Sequence, residues 1–425
     1  MRNLPSIDPQ QQREFAIEIV RRLRARGHEA LWAGGCVRDQ LLGHMPKDYD
    51  VATSARPEEV REIFGMSRTV AVGAAFGVIS VLGPKPGLQL DVVTFRQDRN
   101  YLDGRRPEAV EFSTPEADAQ RRDFTINGLF YDPIDEKVID FVGGRDDMER
   151  CVVRAIGDPL ERFNEDKLRL MRAVRFATRF DFTLDPPTRR ALEALAPEVT
   201  QVSAERIAAE MRFMLLDKSR RAAVELLGDV GLLEAILPEL SAAREAGSLA
   251  ATYKVLDSLE QPSFSLALAA LLHDVVSPAV SYEICRRWKL SNRDSQQMRW
   301  LVQHRDALVA ARQMAWPRLQ RLLISDGIED LLQLHEAIAM AAGNDFDAVN
   351  YCRELLKMPP DQLNPPPLLT GDDLVSHGVA RGKEYQSLLE AVRDSQLNKT
   401  ISTRAEALAL VDALRKRGPD TNPQA

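Results

Sequence analysis

The feature that most constrains this chain is a change of hydrophobic period near residue 155. Before it, short runs of β-type composition, HEALWAG, YDVAT, GVISVL and LQLDVVTF, are separated by Gly, Pro and helical pieces such as 57–64. From Asp158 onward strand signals nearly vanish, and Leu, Ala, Arg and Glu recur at helical spacing through most of the remaining chain. The pattern predicts an α+β unit up to about residue 155, followed by an all-helical part. An N-terminal helix is expected over 9–27, with Phe15, Ile19 and Leu23 at intervals of four and Gly27 as its stop.

At 425 residues the chain exceeds one ordinary compact core, so two to four domains or a series of helical layers is expected. Pro186-Pro187, Pro238, Pro262 and the run MPPDQLNPPPLLTGDD at 358–373 punctuate the helical part, the last being the strongest linker signal. No fixed-period repeat occurs, which argues against a regular solenoid. The tail GPDTNPQA reads as disordered.

Composition excludes several classes. Hydrophobic residues at 44% and charged residues at 28% belong to a soluble globular protein. No run of 18 apolar residues occurs, and the N-terminus has no apolar segment of secretory type, so a cytoplasmic location without membrane association is expected. Cysteines 36, 151, 285 and 352 show no paired spacing and read as scattered thiols. The net charge of −7 argues against indiscriminate coating of nucleic acid. Two stretches depart from that background: Arg162–Arg190 holds eight Lys/Arg against four Asp/Glu, and Ser281–Arg321 nine against three. These are the candidate phosphate-facing surfaces.

The sharpest chemical signal is GGCVRD at 34–39 followed by KDYDVAT at 47–53. On a strand, residues two apart project to the same side, so Asp48 and Asp50 are expected to face one way and to hold a hard divalent cation. Gly34 and Gly35 carry no side chains and let backbone approach an anion, with Arg38 one turn along adding charge. A phosphate cradle leading to paired carboxylates suits metal-assisted phosphoryl or nucleotidyl transfer. Asp91, inside the strand-like LQLDVVTFR, is a third candidate acid, since a carboxylate there is costly to bury without a partner.

Further on, EDKLRLMRAVRF at 165–176 sets Asp166, Arg169, Arg172 and Arg175 three apart, neighbours along one expected helix face. Asp accepts from an exocyclic amine and Arg donates to ring N or O atoms. One Asp/Arg pair can therefore read both C and A, rejecting U and G without a nucleic-acid template. An i,i+3 salt bridge on a solvated helix is the plainer reading of the same spacing.

GGCVRDQLLGHMPKDYDVAT, LDVVTFR, RRDFTING at 121–128 and EDKLRLMRAVRF, in this order, resemble the class II tRNA nucleotidyltransferase and bacterial poly(A) polymerase family over about residues 25–215. The resemblance implies a polymerase-β-type head with a mixed sheet at 1–155, a helical neck carrying the nucleotide-selecting motif at 156–215, a helical body at 216–357 and a helical tail at 358–425. It implies Mg²⁺ at Asp48 and Asp50, with Asp91 as the third acid where many members carry Glu. Gly35, Arg38, Arg122 and Asp123 match nucleotide-contacting positions, with Asn127 orienting the site. Asp166 and Arg169 match the base-reading pair, and Arg172 and Arg175 would serve the triphosphate.

The implied activity is template-independent addition of C and A to the 3′ end of tRNA from CTP and ATP. The alternatives are a poly(A) polymerase, an enzyme adding A alone, and an inactive RNA-binding scaffold. The polar segment RQDRNYLDGRRPEAVEF is similar to the flexible loop of CCA- and A-adding members. ALLHDVV resembles the place of an HD phosphohydrolase domain in some relatives, but no His lies between His44 and His273, so His273 and Asp274 read as a vestige without phosphatase activity. LLTGDDLVSHGVARGKEYQSLLEAV resembles the family's C-terminal helical region, implying contact with tRNA or a second subunit; no sequence feature fixes an oligomeric state.

Overall fold

The computed structural model describes residues 8–101, 107–380, 382 and 384–417. The expected disorder of the tail after residue 417 lies outside the described residues. Two compact units emerge, one reaching to Ala246 and including Arg287–Leu290, the other formed by Gly247–Arg286 and the chain from Ser291 on.

The first unit opens with helix α1 (Pro9–Arg24). Pro9 presets its first turn and the Asp8 side chain accepts from the Gln10 N–H, while Phe15, Ile19 and Leu23 are buried along one face. The helix stops short of the expected 27; Gly27 takes a φ of +84° and turns the chain toward the sheet. Strand β1 (Ala30–Ala33), helix α2 (Gly35–Leu41), strand β2 (Asp50–Thr53) and helix α3 (Pro57–Phe64) follow. Strands β3 (Thr69–Gly73), β4 (Val78–Leu82) and β5 (Gln89–Thr94) come next, then β6 (Arg96–Tyr101) and β7 (Pro107–Phe112). Helix α4 (Pro115–Gln120), strands β8 (Phe130–Asp132) and β9 (Lys137–Ile139), and helix α5 (Gly144–Glu149) complete the head.

Seven of these strands form one mixed sheet in the order β3-β4-β5-β2-β1-β8-β9. Strands β2 and β5 run parallel, and the other neighbours in the sheet are antiparallel. All four residues of β1 are buried, as expected of a strand covered on both faces. Leu31, Ala33, Ala52, Phe95, Ala119 and Phe130 pack as one core cluster. Strands β6 and β7 pair as an antiparallel hairpin, so the arms of the segment expected to be a flexible loop are ordered, and residues 102–106 lie outside the described residues.

The helical part begins with α6 (Pro159–Glu165) and α7 (Leu168–Phe180), separated by Asp166 and Lys167. Thus the expected single helix through EDKLRLMRAVRF is interrupted at Asp166. The Asp166 side chain accepts from the Leu168 N–H at 3.0 Å and caps α7 instead of joining it. A short parallel pair, β10 (Val152–Val153) with β11 (Thr183–Leu184), ties the end of the head to the exit of α7. Helices α8 (Pro186–Leu195), α9 (Ala204–Leu216) and α10 (Arg220–Asp229) follow, with α7 packed on both α9 and α10.

Among its described residues the second unit contains helices joined by loops and no strand. Its most apolar helix, Phe264–Leu272, is buried along its whole length. Toward the C-terminus, Leu374, Leu388, Val392, Ala407 and Val411 gather into a separate core cluster. No helix among the described residues is long and apolar enough to cross a membrane.

Candidate active site

Parallel pairing of β2 with β5 sets Asp50 opposite Asp91, while antiparallel pairing sets Ser80 opposite Asp91 and Ala33 opposite Asp50. Residues in register share a sheet face, so Ser80, Asp91, Asp50 and Ala33 form one row. Ser80 Oγ donates to Asp91 Oδ1 at 2.5 Å and orients that carboxylate. Asp48 lies before β2, not on it as expected. The alternation nevertheless persists: Asp48 and Asp50 are exposed while Tyr49 is buried against Trp32, with ring centroids 4.7 Å apart.

Asp50 keeps solvent access at the floor of a cleft, and its carboxyl is raised from the ordinary value. Desolvation by the surrounding cleft walls is the main cause, Arg122 opposes it, and the negative charges of Asp91 and Asp48 add to it. Three oxygen-bearing acids within electrostatic reach make a hard donor set. No preformed group of three metal-binding side chains occurs among the described residues, but Mg²⁺ ordinarily takes one or two carboxylates and completes its shell with water and phosphate. The residues present fit a hard divalent ion.

Beside this row a cavity of about 520 Å³ is lined by Gly34, Gly35, Arg38, Asp50, Arg122, Asp123, Asn127, Asp166, Arg169, Arg172 and Arg175. The structure therefore brings every residue expected to contact the nucleotide into one space, with Asp48 and Asp91 outside its lining. Arg96, Arg121, Arg179 and Arg206 line it too. The first of the two basic stretches thus turns most of its arginines inward to this cavity.

Most of the cavity's arginines are tethered. Buried Arg38 donates to Asn127 Oδ1 at 2.5 Å and to Asp39 Oδ1, and its guanidinium lies 4.5 Å from the Phe180 ring centroid. Burial lowers its pKa, with Asp39 opposing. Arg121 and Arg122 both donate to buried Asp118, at 2.7 and 2.9 Å. Asp123 accepts from Arg172 Nε at 2.7 Å and from Asn127 Nδ2 at 2.9 Å. Burial alone would raise the Asp123 carboxyl, but Arg172 and these hydrogen bonds hold it down at about 2. Gly34 has a φ of +71°, and a Cβ there would stand 2.7 Å from Arg122 Nη1. Its N–H is occupied by the Leu129 carbonyl, so Gly34 serves by lacking a side chain.

The base-reading candidates are not paired with each other. Asp166 accepts from Arg206 Nη2 at 2.6 Å, and Arg169 donates to the Arg162 carbonyl at 2.7 Å and to Glu165. The plainer reading, a salt bridge between Asp166 and Arg169, is not what the structure forms. Arg175 pairs with Glu210 on α9 at 2.7 Å. Asp118, Arg206 and Glu210 escaped sequence reasoning. The i,i+3 and i,i+4 spacing of Asp118 to Arg121 and Arg122 was a usable signal; Arg206 and Glu210 arrive from a distant helix and left none.

The chain is 32% identical over 402 residues to a CCA-adding enzyme of Anoxybacillus flavithermus, covering 92% of this chain and 95% of that one. It belongs to the CCA-adding enzyme family. A CCA-adding enzyme of Geobacillus stearothermophilus is 36% identical over 336 residues, 77% of this chain and 78% of that one. The poly A polymerase head domain family matches residues 30–154, and the family described as a probable RNA and SrmB-binding site of polymerase A matches 181–244. A crystal structure of the Bacillus stearothermophilus CCA-adding enzyme in complex with CTP aligns with a TM-score of 0.75 at 29% identity, covering 97% of this chain and 99% of that one. The Thermotoga maritima CCA-adding enzyme complexed with tRNA shares the fold, with a TM-score of 0.60 at 20% identity, covering 97% of each chain. As a CCA-adding family member, the protein is a tRNA nucleotidyltransferase with the polymerase-β-type head implied by its sequence, and it belongs to a class that depends on divalent metal.

Proposed function

We propose that this nucleotidyltransferase adds C and A to the 3′ end of tRNA from CTP and ATP, selecting each base with Asp166 and Arg169 in place of a template strand. The observation that carries the reading is the convergence of these two side chains with Arg38, Arg122, Arg172 and Asp50 on one cavity. The chain is thereby able to address the base, the triphosphate and the reacting end of one nucleotide together.

The tethering of the arginines matters for rate. Each guanidinium keeps donors beyond those its carboxylate or amide partner uses, and its direction is set before the nucleotide arrives. Arg206 fixes one oxygen of Asp166, and Glu165 fixes Arg169, so an acceptor and a donor are held for the edge of C or A. The Asp123 carboxylate, ionised at neutral pH, suits a ribose hydroxyl. In the reaction the primer's 3′-oxygen bonds to the α-phosphorus, the bond to the bridging oxygen breaks, pyrophosphate leaves and the hydroxyl proton passes to solvent. Mg²⁺ held by Asp48 and Asp50, with Asp91 as the third acid, would supply charge neutralisation and a lower hydroxyl pKa.

The division into head (1–155), neck (156–215), body (216–357) and tail (358–425) is proposed on the same family grounds, as is a cytoplasmic setting. Only the first two segments supply the cavity described above. The test is incubation of the protein with tRNA lacking CCA and CTP alone, ATP alone, or both. Two added C residues from CTP and a completed CCA from both are expected. Long A tails on generic RNA would establish a poly(A) polymerase, and A added only to tRNA already ending in CC would establish an A-adding enzyme.

A further inference from the structure

A second cavity, of about 610 Å³, meets the arginine-lined one at Gly35, Asp50, Arg175 and Arg179. Its character differs. Where the first is walled mainly by guanidinium groups, the second offers Met45, Phe213 and Leu216, which are 60%, 59% and 42% exposed, beside His44 and Lys47. Asp48 lines this second cavity and not the first, whereas Asp50 lines both.

Phe213 sits on α9, whose Ile207, Met211, Met214 and Leu215 are buried in the core. It points away from that core and contributes nothing to it, so an apolar ring is left to solvent at the edge of a reaction centre. The Arg175 guanidinium lies 5.1 Å from its ring centroid and is itself anchored by Glu210, which restrains the ring's surroundings. Sites for single-stranded nucleic acid combine an aromatic platform with positive charge along the backbone, and Phe213 with Lys47 provides both.

We infer that this cavity seats the 3′-terminal nucleotide of the RNA primer, with Phe213 as the platform on which its base stacks. This rests on the nucleotidyltransfer reading, and it locates the second reactant. Nucleotidyl transfer needs the primer's 3′-oxygen and the α-phosphorus at the same carboxylates, and the two cavities meet at one of them. The terminal base also changes after each addition. A stacking surface accepts any base, because every base presents a π-face, whereas a hydrogen-bonding site would have to be rebuilt at each step.

The test compares the wild type with Phe213→Ala and Phe213→Trp, measuring KM for trimmed tRNA and KM for CTP separately. Phe213→Ala is expected to raise KM for tRNA about tenfold, the loss of one base stack, with KM for CTP unchanged and the Trp variant close to wild type. The exposed position keeps both variants folded, which thermal melting verifies. An unchanged KM for tRNA in Phe213→Ala, or an equal rise in KM for CTP, overturns the assignment. Failure of the wild type to extend any tRNA defeats the functional reading itself, whereas extension by the wild type with an indifferent Phe213→Ala defeats the cavity assignment alone.

Discussion

Asp50 and Asp91 stand opposite each other in register on two neighbouring parallel strands, and Ser80 binds the second of them from the strand beyond. A parallel neighbour places both carboxylates on one sheet face, where the charge of Asp91 adds to the desolvation that raises the Asp50 carboxyl. A divalent cation at this row would neutralise the paired charges, which is the role proposed above for Mg²⁺.

Removing the Arg169 guanidinium should relax base selection. Arg169→Ala is expected to lower use of CTP and ATP and raise misincorporation of UTP and GTP, because each unmatched buried donor or acceptor costs about 1–3 kcal/mol. Incorporation of the four nucleotides, each offered alone, checks it; unchanged selectivity in the variant contradicts the assignment.

Acid stability should carry the signature of Asp123. Its carboxyl titrates at about 2 in the folded chain against an ordinary 3.8, so its contribution is present above about pH 4 and is lost as pH falls toward 2. The increment is about 2 kcal/mol. Asp123→Asn should be destabilised by about that amount at pH 7 and should lose less stability than the wild type below pH 4. Urea midpoints measured across pH 2–7 read both effects; parallel pH curves for the two proteins would contradict the coupling to Arg172.

Gly34→Ala should weaken nucleotide binding and stability together. At φ +71° and ψ −122° the backbone lies in a region that L-residues rarely enter, at a cost of about 1–3 kcal/mol, and the new methyl would displace Arg122. A rise of about tenfold in KM for both CTP and ATP is expected, with a fall of a few degrees in Tm. Kinetics identical to wild type would mean that Arg122 does not meet the nucleotide.

The HD-like dyad should be silent. His273 is buried with Nδ1 on the Ala270 carbonyl at 2.8 Å, its Nε2 faces Asp274 at 3.2 Å, and Arg305 donates to the His273 carbonyl. The wild type is expected to release no phosphate from 2′,3′-cyclic nucleotides; release that disappears in His273→Ala would contradict this.

How much of this was readable before the fold was known depends on the range of each interaction. The spacing of Phe15, Ile19 and Leu23 is local, and α1 buries those residues. Strands β8 and β9 have three residues each, too few for a period to show, and they passed unread. EDKLRLMRAVRF has continuous helical spacing, and its break reflects a competing local bond in which the Leu168 N–H donates to the Asp166 carboxylate. The cavity residues were legible through motif order, since the same residue types recur at matching spacing. Their partners were not, because Arg206 and Glu210 reach the site only through the packing of α9 on α7.

The most direct test of the central claim is single-turnover incorporation of CMP into tRNA lacking CCA by the wild type and by Asp50→Ala. The wild type is expected to extend the tRNA. Asp50→Ala is expected to remain folded and to lose at least about 100-fold in rate, the scale for removing one preorganised electrostatic contact to a transition state. An Asp50→Ala protein that extends tRNA at the wild-type rate would contradict the placement of chemistry at this carboxylate row.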